Sequence, residues 1–326
     1  MAERTLTRRA GLMLGLGAAT GLRATGATAQ ARNVARVVVP YAPGGTTDVT
    51  GRLIANPAAE GLGQTWVIEN RSGANGAIGA GEVARAAPDG STLLYSNEVH
   101  ILLKYVQRGV PFDSLADFTP VLRTVRIPYV LVGGPAMPQT EVRAVIDALK
   151  REPGRYSFAG STLGSVGQIG AAALGQKLGA EFTIVAYRGT APAVNDVISG
   201  AVAVMIAPLG AVQPLIAGGQ LKAYAVTARA RVAILPDVPT MTEIGFPEMV
   251  FDGWTAIWGP KGLPAGRMAE IHRAVSATLR DPAVVQRLTD LGCEPIAESS
   301  ADFARFQVAE QARNAAIIEA AGIRPE

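Results

Sequence analysis

Cysteine is all but absent: Cys293 stands alone among 326 residues, which excludes a disulfide framework and a thiolate metal cluster. Histidine is almost as scarce, with His100 and His272 the only two, so no three-histidine metal site can form. Past the leader described below, no stretch approaches the roughly 18 uncharged apolar residues that a membrane-spanning helix needs. Catalytic motifs are missing as well. There is no G-x-S-x-G elbow, Ser161 and Ser165 have no evident His–Asp relay, and Gly160, Gly164, Gly167 and Gly170 do not satisfy G-x-G-x-x-G. No cofactor and no metal is expected.

Excess positive charge disappears once the N-terminus is set aside. The whole chain is formally +3, yet Arg4, Arg8, Arg9 and Arg23 against Glu3 place a net +3 within residues 1–29. A basic start, an apolar stretch over 10–22 and small residues ending Ala27-Thr28-Ala29 are the layout of a cleavable signal peptide spanning 1–29. Thr7-Arg8-Arg9 followed by Leu12 and Met13 also fits a twin-arginine signal. The remaining 297 residues are nearly neutral and carry no basic block, which argues against nucleic acid as a partner. Any anion site has to be built locally.

Short β-branched runs alternate with Ala-rich helical patterns, the signature of βα units and a largely parallel sheet. Strands are expected at 34–41, 65–69, 92–96, 119–123 and 129–132, with helices over 48–60 and 76–87. A second set has strands at 156–159, 182–187, 202–207 and 221–227, with helices over 166–178, 192–199 and 211–217. The Gly/Pro stretch 133–138 (GGPAMP) reads as the break or hinge between the two sets. An extended segment at 249–258 then leads into three helices, 264–280, 282–291 and 301–320, with no strands between them. Ile271, Val275 and Leu279 give the first of these an apolar face that must be covered. The expected solution is an α/β protein of two lobes, 33–133 plus 253–326 and 134–252, with the last helices laid back on the first lobe.

Three strand-to-helix turns are candidate ligand loops. In the first, Gly44 and Gly45 permit close backbone approach, Thr46 or Thr47 can cap the helix, and Asp48 falls in its first turn. The unpaired N–H groups and positive dipole of such a terminus suit an anion. In the second, 158–168, Ser161, Thr162, Leu163, Gly164 and Ser165 form a small hydroxyl-rich loop before a helix near Val166. The third holds Tyr187, Arg188, Gly189 and Thr190, with Arg188 a candidate clamp or an ordinary exposed arginine. Pro208 ends the strand over 202–207. Asn97, Glu98 and His100 follow another strand end and are candidates for the cleft mouth or a plain polar loop. One helix terminus contributes ~0.3–1 kcal/mol toward an anion, ~2 when partly buried, whereas micromolar binding needs about 8 kcal/mol. Two loops closing over one ligand and excluding water are therefore required. A secreted hydrolase of the α/β class and a ligand sensor docking on a kinase remain open alternatives from the residues alone.

The chain resembles the Bug-type (Bordetella uptake gene) periplasmic receptors of tripartite tricarboxylate transporters. The resemblance runs through 39–52 (VPYAPGGTTDVTGR), 67–79 (VIENRSGANGAIG), 88–94 (PDGSTLL), 111–121 (PFDSLADFTPV), 187–200 and 235–245 (LPDVPTMTEIG). It implies a periplasmic-binding-protein-like Venus flytrap, a small organic carboxylate held partly through ordered water, and a membrane permease as partner of a monomeric receptor. Carried over, Tyr41, Pro43, Gly44, Gly45, Thr46, Thr47 and Asp48 form one wall and Ser161 through Ser165 the other. Glu98 departs from what an anion site would favour: facing the pocket, it would repel a second carboxylate or select an amino group.

Overall fold

The computed structural model describes residues 34–187 and 189–326, so the expected signal peptide and Arg188 lie outside the described residues. The chain runs β1 (Val34–Val39), α1 (Thr46–Gly61), β2 (Thr65–Asn70), α2 (Ala77–Ala84), β3 (Thr92–Asn97), α3 (Leu103–Val106) and β4 (Phe118–Ile127) through a first lobe. The second lobe holds β5 (Tyr129–Gly133), α4 (Val142–Arg151), β6 (Phe158–Gly160), α5 (Val166–Leu178), β7 (Ile184–Ala186), α6 (Thr190–Ser199), β8 (Val204–Pro208), α7 (Leu209–Ala217) and β9 (Lys222–Val226). The chain then returns to the first lobe with β10 (Gly253–Pro260), α8 (Ala265–Thr278), α9 (Pro282–Asp290), β11 (Glu294–Pro295) and α10 (Ser300–Ala320). Short 3-10 turns at Ala74–Gly76 and Glu98–Leu102 interrupt the first lobe.

The first sheet has the order β11-β4-β10-β3-β1-β2 and the second β7-β6-β8-β5-β9. Both are mixed, a correction to the largely parallel sheet expected. β1 is parallel to β2 and β3, and β6 to β7 and β8, whereas β10, β11 and β5 pair antiparallel with their neighbours. In the first sheet the cause is β10, which returns from the second lobe to insert between β3 and β4 with every one of its residues buried; in the second it is β5, which lies antiparallel between β8 and β9. Its Trp254 and Trp258 rings meet Phe303 of α10 at 5.8 and 5.3 Å, which draws the last helix onto the first lobe. Ile271, Val275 and Leu279 are buried, so the apolar face of α8 is covered. The two-residue β11 between α9 and α10 corrects the expectation of three helices without a strand.

The first crossing between lobes is not at 133–138. Tyr129–Gly133 is an inner strand of the second sheet, and the chain changes lobes at Pro128, the single residue between β4 and β5. The glycines there serve packing. A Cβ on Gly133 would meet the Tyr224 ring at 2.8 Å, and one on Gly134 would meet Val197 O at 1.9 Å.

Buried Thr227 holds the two crossings together. Its N–H donates to Tyr129 O at 2.9 Å, its hydroxyl donates to Phe251 O at 2.5 Å, and its carbonyl accepts from Phe251 N–H at 3.1 Å. Gly253 leaves room for Tyr129, whose ring would lie 2.7 Å from an added Cβ. Thr227→Val keeps the shape and removes the hydroxyl donor, so urea unfolding should show a loss of about 1–2 kcal/mol. Unchanged stability would show that this clasp carries nothing.

Candidate ligand-binding cleft

In both lobes the parallel strands discharge their loops at the carboxyl edge of the sheet, where open α/β folds bind ligands. After β1, α1 starts at Thr46 with Gly45 as its N-cap, and no side chain caps it. The expected Thr46 or Thr47 cap is therefore corrected: a Thr inside the first turn cannot reach back as an N-cap does, and Thr47 instead takes a long 3.5 Å bond from Asn97 Nδ2. Gly44 lies at φ +86°, a left-handed conformation that favours glycine. Pro43, Gly44, Gly45 and Thr46 are exposed, and Gly45 has no neighbour closer than 3.8 Å to an added Cβ.

Asp48 is committed to the protein. Its carboxylate accepts from the Gly44 N–H at 2.9 Å, from Arg52 Nε at 3.0 and 3.1 Å and from Asn70 Nδ2 at 2.9 Å. Burial pushes this carboxyl up, but Arg52, the Gly44 N–H and Asn70 together hold it below the usual range. It braces the loop, and Arg52 offsets the charge it would otherwise set against an anion. Asn70 Nδ2 also donates to Tyr41 O at 3.0 Å, fixing the other end of the loop. Burial, opposed by Ser96 and reinforced by the Glu98 carboxyl, keeps the Tyr41 phenol protonated. Its hydroxyl donates to Asn97 Oδ1 at 2.6 Å.

The second loop is closed on itself. Ser165 caps α5, its Oγ accepting from Gln168 N–H at 3.4 Å, and Gln168 Oε1 accepts from the Gly164 N–H at 2.8 Å. That reciprocal pair occupies amides that were expected to face a ligand. Ser161 and Ser165 are buried, Thr162 and Leu163 half-buried. Ser161 O accepts from the Gly189 N–H at 2.7 Å, which ties the second loop to the third. α6 and α7 are the uncapped helices of this lobe edge, starting after Gly189 at φ 131° and after Pro208. Thr190 is the first residue of α6, and Pro208 is buried opposite Tyr129 at the first crossing. Tyr187 points its hydroxyl at Asp196 Oδ2, 2.5 Å away.

The second loop touches the first lobe through Leu163 and Gly164, and its partners there, Asn75 and Val106, are residues that sequence reasoning did not single out. Asn75 Nδ2 donates to Leu163 O at 3.1 Å, and Gly164 approaches the first lobe so closely that an added Cβ would lie 3.1 Å from Val106 Cγ1. Asn75 and Ala74 both have left-handed backbones, φ 52° and 47°, a strained conformation that persists only where surrounding contacts hold it. A Cβ on neighbouring Gly76 would lie 3.4 Å from Tyr41 Oη, so this turn connects the first loop to the second. The signal was present in the tetrapeptide Gly73-Ala74-Asn75-Gly76. Neither Glu98 nor His100 forms part of an exposed polar loop. His100 is fully enclosed by Phe112, Phe118 and Trp258, and Glu98 is buried with its Oε2 accepting from the Trp254 N–H at 3.3 Å. A groove of about 880 Å³ between α1 and α8 includes none of the candidate residues.

The family profile described as "Tripartite tricarboxylate transporter family receptor" matches residues 50–323. The chain belongs to this family. Protein BugT of Bordetella pertussis is 33% identical over 291 residues, 89% of each chain. Among solved structures, "R. palustris Rpa4515 with adipate" is 34% identical with a TM-score of 0.80, covering 90% of this chain and 98% of that one. Periplasmic binding protein BugD is 29% identical with a TM-score of 0.77, covering 90% and 99%. The two-lobed α/β architecture and the role of a solute-binding receptor for a tricarboxylate-type transporter follow from this membership, as the sequence resemblance implied.

Burial pushes His100 down to about 3, far below its usual 6.5. The unfolded chain therefore binds a proton at His100 that the folded chain refuses. Stability contributed by the neutral ring is intact above about pH 6.5 and declines toward pH 3, by at most ~1.4 kcal/mol per pH unit. His100→Leu should flatten that part of the acid-unfolding curve, followed by circular dichroism; an unaltered slope would contradict enclosure of the ring.

Proposed function

We propose that this receptor is exported to the periplasm through a cleavable signal peptide, captures a small carboxylate between its lobes as a monomer, and presents the closed complex to a membrane permease. The observation that carries the reading is the uncapped start of α1 at Gly45, in an exposed loop linked through Tyr41 and Gly76 to the Asn75–Leu163 contact with the other lobe. The amides after Gly45 receive one carboxylate, Tyr41, Thr47 and Asn97 border it, and the 161–165 loop with Gly189 and Thr190 closes the far side. That a structural relative is described with adipate supports a carboxylate of this size. A hydrolase reading has less support. His100 is sealed in the aromatic core and His272 Nε2 bonds Glu298 O at 2.7 Å, so neither stands as a base for Ser161 or Ser165.

A thermal-shift screen of mono- and dicarboxylates tests this. A ligand at about 100 times its Kd adds about 2.7 kcal/mol of stability. Gly45→Val should abolish the shift while leaving the unliganded Tm nearly unchanged, because Gly45 has extended φ −73°, ψ 164° and space for a side chain. A variant that still responds to the ligand places binding elsewhere.

A further inference from the structure

Glu98 is a carboxyl where a receptor for anions would least be expected to keep one. It opens the 3-10 turn after β3, directly after the Asn97 that bonds Tyr41, and is only 5% exposed. Among the described residues no cation pairs with it, and its side chain accepts from the backbone N–H of Trp254 at the second crossing. Its charge also acts on Tyr41 in the first loop and on Tyr129 at the first crossing. Glu98 therefore lies at the hinge, where both crossings and the wall of the cleft meet. A buried carboxyl without a counter-ion is costly unless it is protonated or meets a donor from outside.

We propose that Glu98 sets the ligand class of the cleft, favouring a carboxylate whose other end carries an ammonium over one that carries a second carboxylate. This rests on the receptor reading above. An ammonium supplies the missing counter-ion to ionised Glu98. A second carboxylate is accommodated only when Glu98 holds a proton, so a dicarboxylate takes one up on binding above neutral pH. Burial raises this carboxyl to about 7, within the range where such a proton is exchanged.

The surrounding groups leave Glu98 distinguishable. Tyr41 and Tyr129 stay protonated, and His100 on the same turn stays neutral. From α10, Glu310 adds like charge but bonds Arg313 Nη2 at 2.7 Å, and Lys104 of α3 faces Asp113 at 3.6 Å. Asp252 at the second crossing, pushed by burial to about 6, is the other hinge carboxyl that titrates near neutrality. Comparison with Glu98→Gln separates the two.

Calorimetric titration of the chain without its leader, wild type and Glu98→Gln, at pH 6 and pH 8, uses two length-matched pairs: succinate with 4-aminobutanoate, and adipate with 6-aminohexanoate. In the wild type the amino acid should gain on its dicarboxylate by about a hundredfold between pH 6 and pH 8, because the ratio of ionised to protonated Glu98 rises about tenfold per pH unit. In Glu98→Gln the ratio should lose its pH dependence and move toward the dicarboxylate. A second readout needs no substitution: at pH 8 in Tris and in HEPES, the difference in heat should report proton uptake with the dicarboxylate and none with the amino acid. The same ratio at both pH values in the wild type, with no proton uptake, overturns the role of Glu98. A folded wild-type chain that binds none of the four at millimolar concentration overturns the carboxylate-receptor reading itself.

Discussion

The start of α1 constrains everything around it. A helix terminus offers unpaired amides only if nothing in the chain fills them, and most helices in water recruit a cap. Here Gly45 has no side chain to offer, and Asp48, the acid of the first turn, is held by Gly44, Arg52 and Asn70. The same bonds that remove Asp48 from the amides neutralise it and fix both ends of the loop. An exposed, rigid, locally electropositive turn results on a surface with almost no net charge.

One such turn is too weak alone, since a helix terminus contributes ~2 kcal/mol at best. On the proposed reading, the second lobe supplies the remainder by closing. Its contacts with the first lobe at Asn75–Leu163 and Val106–Gly164 lie beside the candidate walls, so ligand and closure share the same residues. The hinge is correspondingly economical in chain: one proline at the first crossing, and Thr227 bridging to the second. Glu98, bonded to the Trp254 amide, lies beside the second crossing.

The Pro43–Asp48 turn and the βα alternation were legible because Gly-Gly before a polar helix start and runs such as VARVVV are local signals. The features that were not legible depend on distant partners. Gly133-Gly134 reads as a hinge in one dimension, yet Tyr224 and Val197, far along the chain, are what require glycine there. The antiparallel insertion of β10 cannot be read from its own residues, which are those of any buried strand. Ser165 and Gln168, three residues apart, carried a signal that the second loop satisfies its own amides, and the reading of 158–168 as a ligand loop passed over it. Glu98 and His100 look like a polar loop until the burial contributed by β10 and α10 is known.

The most direct test of the account is a crystal structure with a bound carboxylate, 6-aminohexanoate and adipate being the first ligands to try. The account predicts one carboxylate within hydrogen-bonding distance of the backbone N–H groups that begin α1, with the 161–165 loop closed over it. A ligand lodged in the groove between α1 and α8, with those amides facing only solvent, would contradict it.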